Sequence, residues 1–352
     1  MAHKVLAKGN EALAEAAIAA GCRGFFGYPI TPQTDVAAYM ARRMPQVGGV
    51  YVQAESEISA INMVMGAAAA GVRALTSSSS PGISLKAETI SYLAACDLPA
   101  VIINMQRAGP GLGGIQPSQA DYFQATKGLA HGDFHLIVLA PYSVQELADF
   151  MALAFELADR YRTPVILLGD GMLGQMMEPV VFPPSVESLP EKSWAATGTK
   201  GKRPPNIINS LYIQPDELEA LVLERFKRYE TMKQQEARFE AFLADDAEIL
   251  ITAYGSTARI AKSAVLTCRE QGVRVGLFRP ITLWPFPDTA LRQAAQSANA
   301  ILCVEMSMGQ MLEDVRLALN GAKPVHFLGR TGGMIPTPTE IIETVLRLRE
   351  GS

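Results

Sequence analysis

The stretch VRALTSSSSPGISLKAETISYLAACDLPAVIINMQR, residues 72–107, decides the fold class. Its pattern predicts a strand over 72–76, a polar turn over 77–82, a helix over 84–95 and a second, buried strand over 99–105. Strands that alternate with helices are typical of a parallel sheet with helices on its faces. We therefore predict an α/β fold around this stretch.

Outward from it, strands and helices keep alternating. The other elements predicted for the first unit are helices at 10–20, 35–43, 57–71 and 144–160 and strands at 24–28, 49–54, 136–139 and 164–168. Ligands of open parallel sheets bind beyond the carboxyl ends of the strands. Irregular loops follow predicted strands at Thr31, at 77–82 and at Arg107. We expect these three loops to gather at one edge of the sheet.

The composition changes near residue 180. Residues 185–245 contain a proline-rich stretch and a charged helical pattern over 216–242, and we interpret them as a connector. A second α/β unit follows, with predicted strands at 249–254, 274–278, 300–305 and 324–328 and helices at 258–271, 287–297 and 312–319. The sequence thus predicts two α/β domains, 1–184 and 246–352, joined by that connector.

Charge and hydropathy exclude several classes of protein. The chain has 352 residues, with 31 Lys and Arg against 35 Asp and Glu, a formal net charge of −4. Nucleic-acid-binding proteins usually carry a basic excess, so we expect no nucleic acid as a partner. Hydrophobic residues make up 49% of the chain and charged residues only 19%. This surplus of apolar side chains predicts a large core or surface that partner chains cover.

The cysteines narrow the cellular setting. Cys22, Cys96, Cys268 and Cys303 are widely spaced, which argues against a disulfide framework, a zinc ribbon or an iron–sulfur cluster held by this chain alone. No apolar stretch reaches the length of a membrane span, and the N-terminal residues lack the apolar core of a signal peptide. We expect a cytoplasmic location and no membrane association.

Familiar nucleotide motifs are absent from the sequence. No Gly-x-Gly-x-x-Gly opens the first helix, and the glycine-rich stretch 107–114 lacks the lysine and serine of a phosphate-binding loop. His131 and His135 form a close pair without a third ligand, so we predict no metal on this chain.

Three residues are candidates for chemistry, each with a plainer alternative. Glu57 begins an almost charge-free run; it either supports the first turn of a helix or hydrogen-bonds a heterocyclic nitrogen, with Glu55 as the nearest competitor for that role. Arg107 follows a buried strand and suits either a substrate carboxylate or a local acidic side chain. Thr31 helps to hold the same anion or belongs to a turn. The serines at 77–80 form an anion nest or a polar turn.

Several motifs together resemble the α subunit of 2-oxoacid:ferredoxin oxidoreductases, closest to the 2-ketoisovalerate (3-methyl-2-oxobutanoate) type. They are Tyr-Pro-Ile-Thr-Pro at 28–32, Glu-Ser-Glu at 55–57, Thr-Ser-Ser-Ser-Ser-Pro-Gly at 76–82, Arg107, Gly-Gly-Ile-Gln-Pro-Ser-Gln at 113–119, Asp-Gly at 170–171, Tyr-Gly-Ser-Thr at 254–257, Val-Glu-Met-Ser-Met-Gly-Gln at 304–310 and Gly-Arg-Thr-Gly-Gly at 329–333. No single motif is specific, but the combination covers nearly the whole chain.

The resemblance implies a fold and a set of site residues. The fold is a thiamine-diphosphate-binding, pyrimidine-type α/β domain plus a smaller α/β domain like the C-terminal domain of transketolase. Glu57 matches the catalytic glutamate that hydrogen-bonds the aminopyrimidine ring, and Thr31 and Arg107 match the residues that bind the substrate carboxylate. The other implied cofactor-binding residues are Tyr28, Pro29, Ser80 and Gly82.

The resemblance also implies a division of labour between chains. Thiamine diphosphate lies between this chain and a β subunit, Mg2+ and [4Fe-4S] clusters belong to partner subunits, and γ and ferredoxin-like δ subunits complete a hetero-oligomer. Gly-Asp-Gly at 169–171 leads to Met172, so we assign it no metal. The complex would convert a 2-oxo acid and coenzyme A to acyl-CoA and CO2 and reduce ferredoxin, and this chain alone would be inactive.

The identity of the acid stays open at the level of sequence. Our interpretation is a branched-chain 2-oxo acid; the alternatives are 2-oxoglutarate with the same machinery, or a non-catalytic assembly subunit. Phe25, Phe26, Met63 and Met65 are candidates for an apolar substrate pocket, but for each of them plain core packing is the favoured interpretation.

Overall fold

The computed structural model describes residues 4–350. Its strands are β1 (Val5–Lys8), β2 (Gly24–Gly27), β3 (Val50–Gln53), β4 (Ala74–Ser78), β5 (Ala100–Gln106), β6 (Ile137–Leu139), β7 (Pro164–Asp170), β8 (Met177–Val180), β9 (Phe239–Phe242), β10 (Ile249–Thr252), β11 (Val275–Pro280), β12 (Thr282–Trp284), β13 (Ala300–Glu305) and β14 (Val325–Gly329). Its helices are α1 (Gly9–Ala19), α2 (Thr34–Arg43), α3 (Glu57–Ala69), α4 (Pro81–Ala95), α5 (Tyr122–Thr126), α6 (Val144–Tyr161), α7 (Gly171–Gln175), α8 (Pro215–Gln235), α9 (Gly255–Glu270), α10 (Asp288–Ala294), α11 (Gln310–Leu319) and α12 (Pro338–Glu350), with a short 3-10 helix at Met44–Val47.

The first sheet is the parallel sheet that the opening stretch predicts. Its strand order is β12-β6-β7-β5-β4-β2-β3, and every pairing is parallel except that of β12 with β6. Every residue of β4, β5 and β7 is buried, which is why these strands read as continuous rather than alternating apolar runs. Helices cover both faces, so the predicted α/β class is confirmed.

The second sheet has the order β14-β13-β10-β11-β9. Its pairings are parallel except for that of β9 with β11, which is antiparallel. Central strand β10 is buried along its whole length, and α9 packs on β11 and β13. This smaller α/β unit follows the predicted alternation of strands and helices.

One prediction about the connector was wrong, and one strand of the second unit was not predicted. The helix expected over 216–242 ends at Gln235, and residues 239–242 form β9 instead. The sequence Phe-Glu-Ala-Phe begins and ends with an aromatic residue, and aromatic side chains favour strands. Residues 282–284 form β12, which leaves the second unit and pairs with β6 of the first sheet. The hydrophobic periodicity of residues 282–284 does not indicate that they pair with a strand of the first sheet.

Gln119 of the first α/β unit forms buried hydrogen bonds with residues of the second unit. Its Nε2 donates to the carbonyl of Tyr254 at 2.8 Å, and its Oε1 accepts from Thr257 Oγ1 at 2.7 Å and from the Met306 amide at 3.0 Å. Tyr122 adds a buried bond from its hydroxyl to Asp314 Oδ2 at 2.6 Å. The segment after β5 is therefore held in place by the second unit, which positions the loops at the carboxyl edge of the first sheet.

Candidate functional site

The three loops expected to gather do meet at the carboxyl edge of the first sheet. The Arg107 guanidinium Nη1 donates to the carbonyl of Thr31 at 3.0 Å. The Arg107 amide donates to Ser80 Oγ at 3.0 Å, which ties the loop after β5 to the loop after β4. Glu57 opens α3 after β3, and α4, which opens at Pro81, packs against α3.

Glu57 is a buried carboxylate that no protein donor reaches. It is the first residue of α3, after the N-cap Ser56, whose Oγ accepts from the Ser59 amide at 3.1 Å. The side chain is only 6% exposed, yet within residues 4–350 no N–H or O–H donates a hydrogen bond to its carboxylate. A buried carboxylate ordinarily has such partners. Its lone pairs are therefore free for a ligand's donor.

Gly82 leaves the space that the Glu57 carboxylate occupies. A Cβ on Gly82 would lie 2.8 Å from Glu57 Oε1 and 2.1 Å from Ser78 Oγ, closer than real contacts allow. Glycine at this position therefore lets the first turn of α4 approach the carboxylate, an approach that any larger residue would block.

Lys86, which the sequence analysis did not select, lies one helical turn beyond Gly82. Its Nζ donates to Thr76 Oγ1 at 3.0 Å and reaches the backbone carbonyl of Glu57 at 3.5 Å. The side chain is completely buried, and burial lowers the pKa of Lys86 to about 8 although the Glu57 charge opposes the shift. A lysine in the otherwise apolar inner face of a helix is the signal that could have identified it.

Arg107 is held by carbonyl groups rather than by an acid. Besides the Thr31 carbonyl, it donates from Nη2 to the carbonyl of Leu112 at 3.2 Å. No carboxylate lies within ion-pair distance of it in the described part of the chain, so the alternative of a local salt bridge is wrong. Its Nε is buried without a partner. Arg107 thus keeps an unused donor next to Thr31, whose own side chain is exposed.

Ser80 and Asp121 form a polar network beneath Arg107. Ser80 Oγ lies 2.6 Å from Asp121 Oδ2, and Asn104 Nδ2 donates to the same oxygen at 2.9 Å. Ser80 has a φ of 28°, which is a strained backbone conformation. The Ser80 amide donates a hydrogen bond to Asn104 Oδ1 at 3.1 Å, and this bond helps to hold that conformation. Burial raises the pKa of the Asp121 carboxyl, while the bonds from Ser80 and Asn104 act against that shift. The sequence analysis selected Ser80 but missed both of its partners.

Unsatisfied hydroxyls mark the same loop. Ser78 Oγ and Ser79 Oγ are buried and have no hydrogen-bond partner, and buried polar atoms of this kind are rare in folded proteins. Of the remaining candidates, Tyr28 accepts from Gln33 Nε2 through its carbonyl at 3.2 Å, and Pro29 is exposed. Neither is hydrogen-bonded to Glu57 or Arg107 within residues 4–350.

A cavity of about 690 Å3 opens beside Thr31. Its wall is largely apolar, and among its lining residues the only ionisable side chain is that of Asp35, which pairs with Lys8 at 3.0 Å. The lining residues are Thr31, Pro32, Thr34, Asp35, Ile115, Gln116, Pro117, Gly171, Met172, Gln175, Met176 and Ile335. The cavity suits a small apolar group next to the Thr31–Arg107 pair.

Asp170 of the Gly-Asp-Gly stretch serves the fold. Its Oδ1 accepts from the amides of Met172 and Leu173 at 2.9 and 3.1 Å, and Ser256 donates to its Oδ2. Burial raises the pKa of this carboxyl against those bonds. Asp170 caps α7 and links it to α9. Both of its carboxylate oxygens therefore accept hydrogen bonds from the protein itself.

Other groups considered from sequence have structural surroundings. The four cysteines are free and buried, and the His135 ring stacks on Trp284 with centroids 4.7 Å apart. In the part of the chain that the structure describes, no three His, Cys, Asp or Glu side chains are grouped as a metal site would need. Across residues 4–350, no helix combines the length and the apolar character that a bilayer crossing needs.

Comparison with known families and curated proteins places the chain. The family model "Pyruvate flavodoxin/ferredoxin oxidoreductase, thiamine diP-bdg" matches residues 15–242, and "Pyruvate:ferredoxin oxidoreductase core domain II" matches residues 247–341. The chain is 49% identical to the ketoisovalerate oxidoreductase subunit VorB of Methanothermobacter marburgensis, over 98% of this chain and 97% of that protein. It is 37% identical to the 2-oxoglutarate synthase subunit KorA of the same organism, over 99% of this chain and 100% of that protein.

Solved structures agree on the fold. The 2-oxoglutarate:ferredoxin oxidoreductase of Magnetococcus marinus, solved with 2-oxoglutarate, coenzyme A and succinyl-CoA bound, superposes with a TM-score of 0.89 at 27% identity. That match covers 98% of this chain and 65% of the longer one. A split-gene transketolase shares the fold alone, with a TM-score of 0.59 at 13% identity over 97% of both chains. By its family models and its relatives, this chain belongs to the 2-oxoacid:ferredoxin oxidoreductases as one of their subunits.

Proposed function

We propose that this chain is the α subunit that supplies the pyrimidine side of a thiamine diphosphate site, completed by a β subunit. The observation that carries the proposal is the buried Glu57 carboxylate, which accepts no hydrogen bond from residues 4–350 and faces the gap left by Gly82. A carboxylate in that state suits a heterocyclic N–H better than a structural role, because no hydrogen-bond donor among residues 4–350 holds its oxygens.

The residues around Glu57 fit the cofactor. Glu57 would hydrogen-bond the pyrimidine ring, Gly82 gives that ring access, and the unpartnered Ser78 and Ser79 hydroxyls offer further polar contacts. Ser80, Tyr28 and Pro29 are the other residues we assign to this side of the site. When bound, thiamine diphosphate supplies the nucleophilic carbon and the electron sink that decarboxylation of a 2-oxo acid needs.

Thr31 and Arg107 are the proposed binding residues for the substrate carboxylate. The Arg107 guanidinium lies on the Thr31 carbonyl, and its buried Nε has no partner, so a carboxylate would supply the missing acceptor. Charge-assisted bonds between a guanidinium and a carboxylate are among the strongest polar contacts in proteins.

We assign Mg2+ and the [4Fe-4S] clusters to partner subunits, with γ and ferredoxin-like δ chains, ferredoxin and coenzyme A as further partners. The thiamine-binding family model supports the cofactor, and the coenzyme A bound to the solved relative supports coenzyme A as a partner. The four free cysteines of this chain suit the reducing cytoplasm, the location we propose.

For the acid itself, we propose 3-methyl-2-oxobutanoate or a similar branched-chain 2-oxo acid. Ile115, Met172 and Ile335 line the cavity beside Thr31, and no Lys or Arg stands among its lining residues. The second carboxylate of 2-oxoglutarate would meet this apolar wall and the charge of Asp35. The name of the relative at 49% identity supports the same acid, while the relatives at 37% keep 2-oxoglutarate as the second candidate.

Glu57→Gln in the assembled complex tests the catalytic proposal. We expect 2-oxoacid-dependent dye reduction to fall about 10²–10⁴-fold, the usual effect of losing a proton-transfer group. Glu55→Gln is the matched control, because Glu55 is exposed two residues earlier. Normal activity of the Glu57 variant would instead support the non-catalytic assembly subunit.

Met172→Lys tests the choice of acid. We expect the wild-type complex to prefer 3-methyl-2-oxobutanoate over 2-oxoglutarate in kcat/KM, and the added cation to narrow that preference about 10-fold or more. Met177→Lys, at a 60% exposed position outside the cavity, is the control. A wild-type preference for 2-oxoglutarate would overturn the assignment of the acid and leave the reaction class intact.

A further inference from the structure

Lys86 is a completely buried lysine without a carboxylate in ion-pair distance among residues 4–350. Fully buried lysines are rare, and those that occur are usually paired with an acid. Here the ammonium has two neutral acceptors, Thr76 Oγ1 at 3.0 Å and the Glu57 carbonyl at 3.5 Å. The fold therefore maintains a desolvated cation directly behind the first residue of α3.

The position of Lys86 on α4 explains how it reaches Glu57. Residues four apart lie on the same face of a helix, so Gly82 and Lys86 both face α3. Gly82 gives way to the Glu57 carboxylate, and Lys86 reaches the backbone carbonyl of the same residue. One face of α4 thus sets both the space around Glu57 and the orientation of its helix turn.

The charge of Lys86 bears on Glu57 as well. Glu57 is the ionisable group whose field acts on Lys86, and its negative charge favours the ammonium form. The Glu57 carboxylate is drawn toward the Lys86 ammonium by the same attraction, since the interaction between two charges is mutual. The other neighbour, Thr76 of β4, is a neutral hydrogen-bond acceptor for the ammonium.

We propose that Lys86 is a positioning residue for Glu57: its buried ammonium fixes the first turn of α3 through the Glu57 carbonyl and thereby holds the carboxylate in the position that the cofactor needs. The inference rests on the proposed role of Glu57. Because burial lowers the pKa of Lys86 to about 8, the ammonium is lost just above neutral pH. The enzyme should then lose kcat on the alkaline side.

Lys86→Met in the assembled complex tests the inference, since methionine keeps the length of the chain without the charge. We expect kcat to fall about 10-fold while KM for the 2-oxo acid changes less than about twofold, because Lys86 acts on Glu57 and not on the acid. The alkaline limb of the kcat profile, with a midpoint near pH 8 in the wild type, should disappear. Glu88→Gln, exposed on the same helix, should change neither.

A second readout needs no cofactor. In the complex freed of thiamine diphosphate, amide hydrogen exchange in the first turn of α3 should be about fivefold faster in Lys86→Met, because the Glu57 carbonyl loses its partner. If Lys86→Met does not fold, Thr76→Val keeps the cation and removes an acceptor; its alkaline limb should move to lower pH, since the charged form is less well solvated.

The outcomes separate this inference from the proposed function. Wild-type kcat and an unchanged alkaline limb in Lys86→Met, with Glu57→Gln inactive, would overturn the role of Lys86 alone. Full activity of Glu57→Gln would overturn the proposed function. A change in KM with unchanged kcat in Lys86→Met would also contradict positioning through Glu57.

Discussion

Glu57 and Glu305 both lie at or just after the carboxyl end of a strand and precede or begin a helix, one at each of the two larger sheets, yet their surroundings are opposite. Glu305 ends β13, is fully buried and accepts four hydrogen bonds, from Cys303 Sγ at 3.4 Å, Ser307 Oγ at 2.8 Å and the amides of Met311 and Leu312 at 2.9 Å each. Glu57 opens α3, is nearly as buried, and accepts none from residues 4–350.

The difference is the one expected between a structural carboxylate and the carboxylate of the proposed site. Both glutamates lie near the amino end of a helix, where negative charge is favourable. At Glu305 the turn before α11, with Gly309 at a φ of 96°, closes the amides onto the carboxylate. At Glu57 the neighbouring backbone leaves the oxygens free. Burial alone therefore does not distinguish the two carboxylates, whereas the number of hydrogen-bond donors around each of them does.

Glu305→Gln tests whether the Glu305 carboxylate serves the stability of the fold. The amide NH2 would face donors on one side, so two of the four bonds are lost or become repulsive, and we expect the free energy of unfolding to fall by about 3–5 kcal/mol. Denaturant unfolding of the chain measures the loss. Glu313→Gln, exposed in the first turn of α11, is the control. Activity per folded molecule should stay within about twofold, because Glu305 touches none of the proposed site residues.

Gly82→Ala tests whether the space beside the Glu57 carboxylate serves the proposed cofactor site. The new Cβ would meet Glu57 Oε1 at 2.8 Å and Ser78 Oγ at 2.1 Å, so α4 or the carboxylate must move. We expect about a 100-fold loss of 2-oxoacid oxidation and weaker binding of thiamine diphosphate, measured by calorimetry on the complex. Gly66→Ala on α3, where an added Cβ meets nothing within 4 Å, should leave both unchanged. Equal behaviour of the two variants would contradict the role of the gap.

The sequence predicts much of this fold because its decisive elements are local. Strands β5 and β7 are largely apolar, and β4 begins with apolar residues and continues into the serine-rich turn. Each of the three lies within two residues of its predicted bounds. The failures are long-range. Residues 282–284 join the first sheet through pairing with a strand more than 140 positions away, and no local pattern encodes that partner.

The candidate site divides in the same way. Glu57, Thr31 and Arg107 stand beside recognisable loops, so sequence could select them. Asp121 and Lys86 were missed because their surroundings depend on tertiary packing: Lys86 is buried only because α4 packs on α3. Whether Arg107 bonds an acid or carbonyl groups likewise depends on where the loop of Thr31 lies.

The buried charge behind Glu57 should also appear in the stability of the cofactor-free chain. Burial holds the folded-state pKa of Lys86 at about 8, below its ordinary value of 10.5. The unfolded chain therefore binds more protons between these values, so stability rises with pH in that window. Relative to Lys86→Met, the wild-type free energy of unfolding should rise by about 1.5 kcal/mol from pH 7 to pH 9. A difference that does not vary with pH would mean that Lys86 stays charged.

Ser78 and Ser256 allow the same comparison to be made between two single hydroxyl groups, one without and one with a hydrogen-bond partner. Ser78 Oγ is buried without a partner, whereas Ser256 donates to the buried carboxylate of Asp170. Ser256→Ala should lower the free energy of unfolding by about 1–2 kcal/mol, because it removes one hydrogen-bond donor from a buried carboxylate. Ser78→Ala removes an unsatisfied polar atom, so stability should stay within about 0.5 kcal/mol or rise, while affinity for thiamine diphosphate falls a few-fold. If Ser78→Ala instead destabilised the chain as Ser256→Ala does, with no change in cofactor affinity, its hydroxyl would belong to the fold and not to the site.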